Sequence, residues 1–335
     1  MKRRALVLFL SLALIIGTVG CGGNSASIEV EKPENTLVTL GELNLKIGSA
    51  PGPVTYPLAN MSEKNPNIVL NPWQSGEQLT AMITSKKIDL CSTPLSNALL
   101  TYNKGMDTQL LMVTVWGMLY VMSTENDVRS LQDLKGKEVI VSGKGGLHDF
   151  ILRHLLIKSQ ISPDQDLKIT YLDMAEASQR LASGQVKYAV LNEPQSSIAT
   201  LNAKKANLQL NRVLDLTEEW GKLPGQKDKL FPMAGIIVVN GSGASTEQIK
   251  AFEKAYIDEA AWVNEHGQEA GPIVEKHVPT MKAMAVTQSI QYARLDPKPA
   301  VECQGEITDF FEELTTTADI QAFGGNLPDN EFFYR

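Results

Sequence analysis

Apolar positions along this chain fall into two kinds of run. Short, nearly continuous stretches at 88–92, 138–141, 188–191 and 233–240 have strand length and end in Gly, Pro or Asn. Between them apolar residues recur at helical spacing, as in Leu79, Met82 and Ile83, or Ile151, Leu152, Leu155 and Leu156. Alternation of these two signals predicts an α/β fold.

One order of elements occurs twice. The first copy has a strand at 43–47, the loop Gly48-Ser49-Ala50-Pro51-Gly52-Pro53 and a helix from about Val54. It continues with a helix over 76–86, a strand over 88–92 and a break at Thr93-Pro94 before another helix. The second copy has a strand at 138–141, the loop Ser142-Gly143-Lys144-Gly145-Gly146 and a helix from about Leu147. A helix over 175–182, a strand over 188–191 and a break at Asn192-Glu193-Pro194 complete it. Gly48 and Thr93 are 45 residues apart; Gly143 and Asn192 are 49 apart. Two units of one order predict two lobes, each a mostly parallel sheet flanked by helices. Ligands of open α/β sheets collect at the carboxyl ends of strands, so the four loops are expected to face one crevice.

The strand at 233–240 reads as the return from the second lobe. Ser245-Thr246-Glu247-Gln248 then has the form of a capping box, opening a helix with Ile249, Phe252, Tyr256 and Val263 on one face. This predicts a first lobe made of 43–117 plus 241–335 and a second of 118–240. Two crossings between lobes suit a hinged clamshell.

The N-terminus changes the picture by implying export. Lys2, Arg3 and Arg4 precede an apolar or small-residue run of 16 residues over 5–20, short for a membrane span of roughly 20. Thr18-Val19-Gly20-Cys21 follows, then Gly22, Gly23, Asn24 and Ser25. This resembles the bacterial lipoprotein signal, in which a small residue precedes a cysteine that is lipidated and becomes the mature N-terminus. Thr18 stands where that family commonly has Leu, and ordinary secretory cleavage is the alternative. Residues 1–20 are thus read as a signal peptide and 21–42 as lipidated Cys21 with a polar tether. The expected location is the outer or periplasmic face of the cell membrane.

Loss of the leader removes three positive charges and takes the net charge from −7 to −10. The lack of a long basic block argues against nucleic acid or an anionic membrane surface as partner. About 315 remaining residues exceed what one hydrophobic core ordinarily organises, again favouring two lobes. Cys91 and Cys303 are isolated, neither a disulfide framework nor a CxxC zinc pattern, and Cys91 reads as a buried small hydrophobe. His148, His154, His266 and His277 show no metal-binding spacing, and no nucleophile elbow is present. No metal, no cofactor and no catalysis are expected.

The ordered motifs carry a resemblance. Ser75-Gly76-Glu77, Thr93-Pro94, Trp116-Gly117-Met118-Leu119-Tyr120, Asp133-Leu134-Lys135-Gly136-Lys137-Glu138-Val139, Gly143-Lys144-Gly145-Gly146 and Asn192-Glu193-Pro194 follow the first Gly/Pro loop. Together they resemble the periplasmic binding proteins of nitrate, sulfonate, taurine and thiamine-precursor ABC importers, over roughly 43–320. The resemblance implies a type II periplasmic-binding-protein clamshell, monomeric, that captures a small molecule for an ABC permease and its ATPase.

Candidate ligand contacts come from the loops. Gly145 and Gly146 allow close backbone approach at a helix N-terminus, and Lys144 and His148 add charge or donors for an anion. Pro53, Thr55 and Tyr56 form the matching turn of the first lobe. Ser75 either caps its helix or meets ligand. Thr93 and Asn192 end strands at the crevice. Glu193 can accept from an amine or ring N–H, pair with Lys144 across the lobes, or simply sit at a helix N-terminus. Trp116 lies at the expected crossing and can cover the ligand; Trp220 can reach the same crevice. The Gly-rich loop favours a sulfonate- or nitrate-type oxyanion. Glu193, Tyr56 and Trp116 would instead suit a thiamine-related pyrimidine, bound or, on an enzyme of this fold, processed.

Overall fold

The computed structural model describes residues 38–335, so the expected signal peptide, Cys21 and most of the tether lie outside the described residues. No helix among the described residues is long and apolar enough to cross a membrane. The chain begins with β1 (Leu45–Ser49), α1 (Thr55–Lys64), β2 (Ile68–Pro72), α2 (Gly76–Thr84), β3 (Leu90–Pro94), α3 (Leu95–Asn103) and β4 (Thr108–Trp116). It then runs through β5 (Leu119–Ser123), β6 (Glu138–Ser142), α4 (Leu147–Lys158), β7 (Lys168–Leu172), α5 (Met174–Ala182), β8 (Tyr188–Asn192), α6 (Gln195–Lys205), β9 (Asn211–Asp215) and α7 (Leu216–Gly221). The return consists of β10 (Pro232–Val239), α8 (Thr246–Glu265), α9 (Gly267–His277), α10 (Ala283–Ser289), β11 (Leu295–Pro299) and α11 (Gln304–Thr315).

Two sheets result. The first has the order β11-β4-β10-β3-β1-β2, the second β7-β6-β8-β5-β9. Each contains a parallel trio, β2–β1–β3 and β7–β6–β8, produced by the doubled strand–helix order. Antiparallel strands extend both sheets: β10, β4 and β11 in the first, β5 and β9 beyond β8 in the second. The sheets are therefore mixed in pairing, with most strands of each running one way. Within the trios β1, β3, β6 and β8 are largely buried on both faces, whereas the edge strands β2 and β7 are partly exposed.

One boundary is corrected. The strand expected to close the second lobe, β10, is hydrogen-bonded between β3 and β4 in the first sheet. The return crossing therefore precedes Pro232, in the segment after α7. Periodicity finds a strand but not its partners, and these partners lie more than a hundred residues upstream. The outward crossing is Gly117-Met118, between β4 and β5. A Cβ on Gly117 would lie 2.3 Å from Thr217 Oγ1, and its φ of +100° is one that other residues rarely adopt.

The capping box at α8 forms as expected: Gln248 N–H donates to Ser245 Oγ at 3.3 Å and Ser245 N–H to Gln248 Oε1 at 3.2 Å. Cys91 and Cys303 are buried free thiols.

Candidate functional site

The carboxyl ends of the parallel trios meet at a cavity of about 280 Å³ between the sheets. The first lobe contributes Ala50–Val54 after β1, Thr93, Pro94, Ser96 and Asn97 at the β3–α3 junction, and Met233 and Ala234 of β10. The second contributes Ser142, Gly143, Gly146, Leu147 and His148 at the β6–α4 junction and Asn192 at the end of β8. Met118, at the outward crossing, completes the wall.

Three helices begin at this wall. α1, α3 and α4 start at Val54, Pro94 and Gly146, and none has a capping side chain. Away from the cavity, α2, α5, α7 and α8 are capped by Ser75, Asp173, Asp215 and Ser245, while α6, α9, α10 and α11 also lack a capping side chain, so it is the position of these three ends at the wall that distinguishes them. First-turn N–H groups have no intrahelical acceptor, and the helix dipole makes that end positive. At α1, Thr55 and Tyr56 N–H turn back to Gly52 and Pro53 carbonyls, so α1 offers mainly its dipole. At α3 the first turn supplies both N–H groups and dipole; at α4 it supplies N–H groups, with the buried Asp149 carboxylate of the same turn paired to Arg153. Gly143, at φ +71°, lets the chain turn sharply enough to bring α4 to the wall.

Two side-chain oxygens at the wall have no partner among the described residues: Thr93 Oγ1 and Asn192 Oδ1. Thr93 is fully buried beside the cavity, where a hydroxyl without a partner is a cost to the ligand-free fold. No Asp, Glu, Lys or Arg lines the wall among the described residues. Its titratable side chain, His148, is pushed down to about 4 by burial and is therefore neutral near pH 7.

Of the residues named from sequence, the cavity brings together Pro53, Thr93, Gly146, His148 and Asn192. The others lie elsewhere. Thr55 is buried and donates to Ala50 O, and the Tyr56 hydroxyl is 2.7 Å from Ser289 Oγ inside the first lobe. Ser75 caps α2 by accepting from Gln78 N–H. Gly145 N–H donates to Asp149 Oδ2, and Lys144 is exposed with its ammonium 5.8 Å from the Tyr171 ring. Trp116 is buried at the end of β4, donating to Asp296 O at 2.8 Å. Trp220 packs on Phe231 and Phe310, away from the cavity.

Glu193 does not reach Lys144. Its carboxylate is fully buried within the second lobe, accepting from Arg212 Nε at 3.0 Å and Ser197 Oγ at 2.8 Å. Burial raises its pKa while Arg212 pulls it back. The Arg212 guanidinium in turn lies 3.6 Å from the Tyr292 ring centroid. The trio suggested for a pyrimidine is thus dispersed into packing and ion pairing.

Sequence reasoning missed Met118, Ser96, Asn97, Met233 and Ala234. Ser96 and Asn97 follow directly from Pro94 opening a helix, a signal that was present. Met233 and Ala234 depend on the lobe to which β10 belongs.

Comparison with known proteins gives the same fold. Residues 67–219 match the family model described as NMT1/THI5 like. An ABC transporter structure from Parabacteroides distasonis is 21% identical, covers 87% of this chain and 98% of its own, and superposes with a TM-score of 0.72. The periplasmic aliphatic sulphonate binding protein SsuA of Escherichia coli is 18% identical, with 86% and 93% covered and a TM-score of 0.61. The alkanesulfonate-binding protein SsuA of Xanthomonas axonopodis pv. citri, bound to MOPS, is 18% identical, with 82% and 94% covered and a TM-score of 0.59. No curated protein matches. The fold is that of the two-lobed periplasmic binding proteins.

Proposed function

From that fold we propose that the chain is the extracytoplasmic substrate-binding component of an ABC importer, holding a small sulfonate- or nitrate-type oxyanion between its lobes. One observation carries the ligand reading: helix N-termini without capping side chains open from both lobes onto a cavity with unpartnered Thr93 and Asn192 and no carboxylate. Such a wall stabilises an anion through dipoles and N–H donors rather than through a cation. The Asn192 amide can present its N–H₂ as well as its carbonyl oxygen to the ligand. Because contacts come from both lobes, the ligand favours the arrangement in which they are together, the differential affinity that a clamshell requires.

The same wall supports a reading of binding without turnover. General acid–base work needs a group with a pKa near the working pH, and His148 is held well below it. Lipidation at Cys21 would tether the body near its permease.

Calorimetric titration of the protein with nitrate, small alkanesulfonates and a thiamine-related pyrimidine tests the reading. The expected result is one saturable site for an oxyanion, recovered chemically unchanged. Binding of the pyrimidine alone, or conversion of any ligand, would overturn it.

A further inference from the structure

We propose that the seam between α4 and α11 is an acid-sensitive lock holding the two lobes together, with His154 as the group that releases it. The two helices belong to different lobes. α4 follows β6 of the second sheet and forms part of the cavity wall with its first turn. α11 is tied to the first lobe on both sides. Before it, β11 pairs with β4. After it, Asn103 Nδ2 of α3 donates to Phe323 O at 2.7 Å, and Leu110 N–H of β4 donates to Phe332 O at 2.7 Å.

Phe150, His154 and Lys158 stand one helical turn apart on α4 and form a single stripe across the seam. Phe150 meets the Phe323 ring at 5.4 Å. The His154 side chain is fully buried, with Nδ1 2.9 Å from Thr317 Oγ1 and Nε2 3.2 Å from Glu313 Oε1. Lys158 Nζ lies 2.7 Å from the same Glu313 oxygen, and Trp220 of α7 packs on the imidazole at 5.0 Å.

The charges facing the ring are Glu313 from α11 and Lys158 from its own helix; Trp220 and Thr317 carry none. Burial and Lys158 disfavour the imidazolium, Glu313 favours it, and the balance holds the ring below its ordinary 6.5. Parting the lobes exposes the ring and restores its ordinary basicity. The docked state has the lower pKa, so its advantage is complete above pH 6.5 and declines as pH falls towards the lowered value. Over that window the opening constant rises by up to about tenfold per pH unit. The parting of the lobes does not depend on what the cavity holds; its meaning as ligand release rests on the function proposed above.

Fluorine NMR of the full chain carrying 5-fluorotryptophan reads the lock directly, with the Trp220 signal assigned by Trp220→Phe. In ligand-free protein the signal should leave its docked position as pH falls from 7.5 to 5, and His154→Gln should keep it docked. A second variant, Glu313→Gln, removes the charge favouring the imidazolium and should enlarge the acid response below pH 5. A Trp220 signal that ignores pH, or one that moves equally in wild type and His154→Gln, overturns the lock. An intact response in protein that binds neither nitrate nor methanesulfonate upholds the lock and removes only the ligand reading.

Discussion

Replacing Thr93 by Val separates a ligand-contacting hydroxyl from a structural one, because the two roles predict opposite signs. Thr93 is fully buried at the end of β3, and its Oγ1 has no partner among the described residues. A buried polar atom without a partner costs about 1–3 kcal/mol. Thr93→Val removes that oxygen while keeping the branched shape, so the ligand-free protein should become more stable, by about 1 kcal/mol. A hydrogen bond to a charged ligand contributes about 1.5–3 kcal/mol. Losing it should weaken oxyanion binding about 10- to 150-fold. Urea unfolding of the ligand-free protein gives the first quantity and calorimetric titration the second. A hydroxyl serving the fold would give the reverse pair, lower stability with unchanged affinity. That outcome would refute the assignment of Thr93 to the site.

Lys144→Ala should leave oxyanion affinity within about twofold, since exposed charges at a distance from the ligand are screened; a tenfold loss by titration would place the ammonium at the ligand after all. Arg212→Ala leaves the Glu193 carboxylate buried without its cation and should cost about 3–5 kcal/mol in urea unfolding. His148, held near 4 by burial, should keep its neutral-form NMR shifts down to about pH 5, and its burial contributes stability that is lost as pH falls from 6.5 towards 4; a midpoint near 6.5 would contradict this. Gly117→Ala places a Cβ against Thr217 Oγ1 at a φ of +100°, so it should cost more than about 1 kcal/mol, read as a lowered urea midpoint.

Much of the fold was legible because it is repetitive. The doubled strand–loop–helix order marked both parallel trios, and the four loops it singled out all reach the cavity. What sequence lacks is rotation and long-range pairing. Thr55 and Tyr56 sit in the right turn, yet the first turn of α1 points both into the first lobe, where they bond Ala50 O and Ser289. Lys144 occupies the tip of a loop that reaches the cavity, where Gly143 and Gly145 both have φ of +71°, and its side chain is exposed. Glu193 follows β8 by one residue, and in the turn after the strand its carboxylate pairs with Arg212 inside the second lobe. Met233 and Ala234 were hidden because β10 pairs with strands far upstream.

On the proposed reading an oxyanion sits where α3 and α4 begin, touching both lobes. A crystal structure of the protein grown with an alkanesulfonate tests it most directly. Density for the anion is expected in contact with Thr93, Asn192 and the first-turn N–H groups of α3 and α4. Density at another cavity, or an anion held there by Lys144 instead of the helix ends, would contradict it.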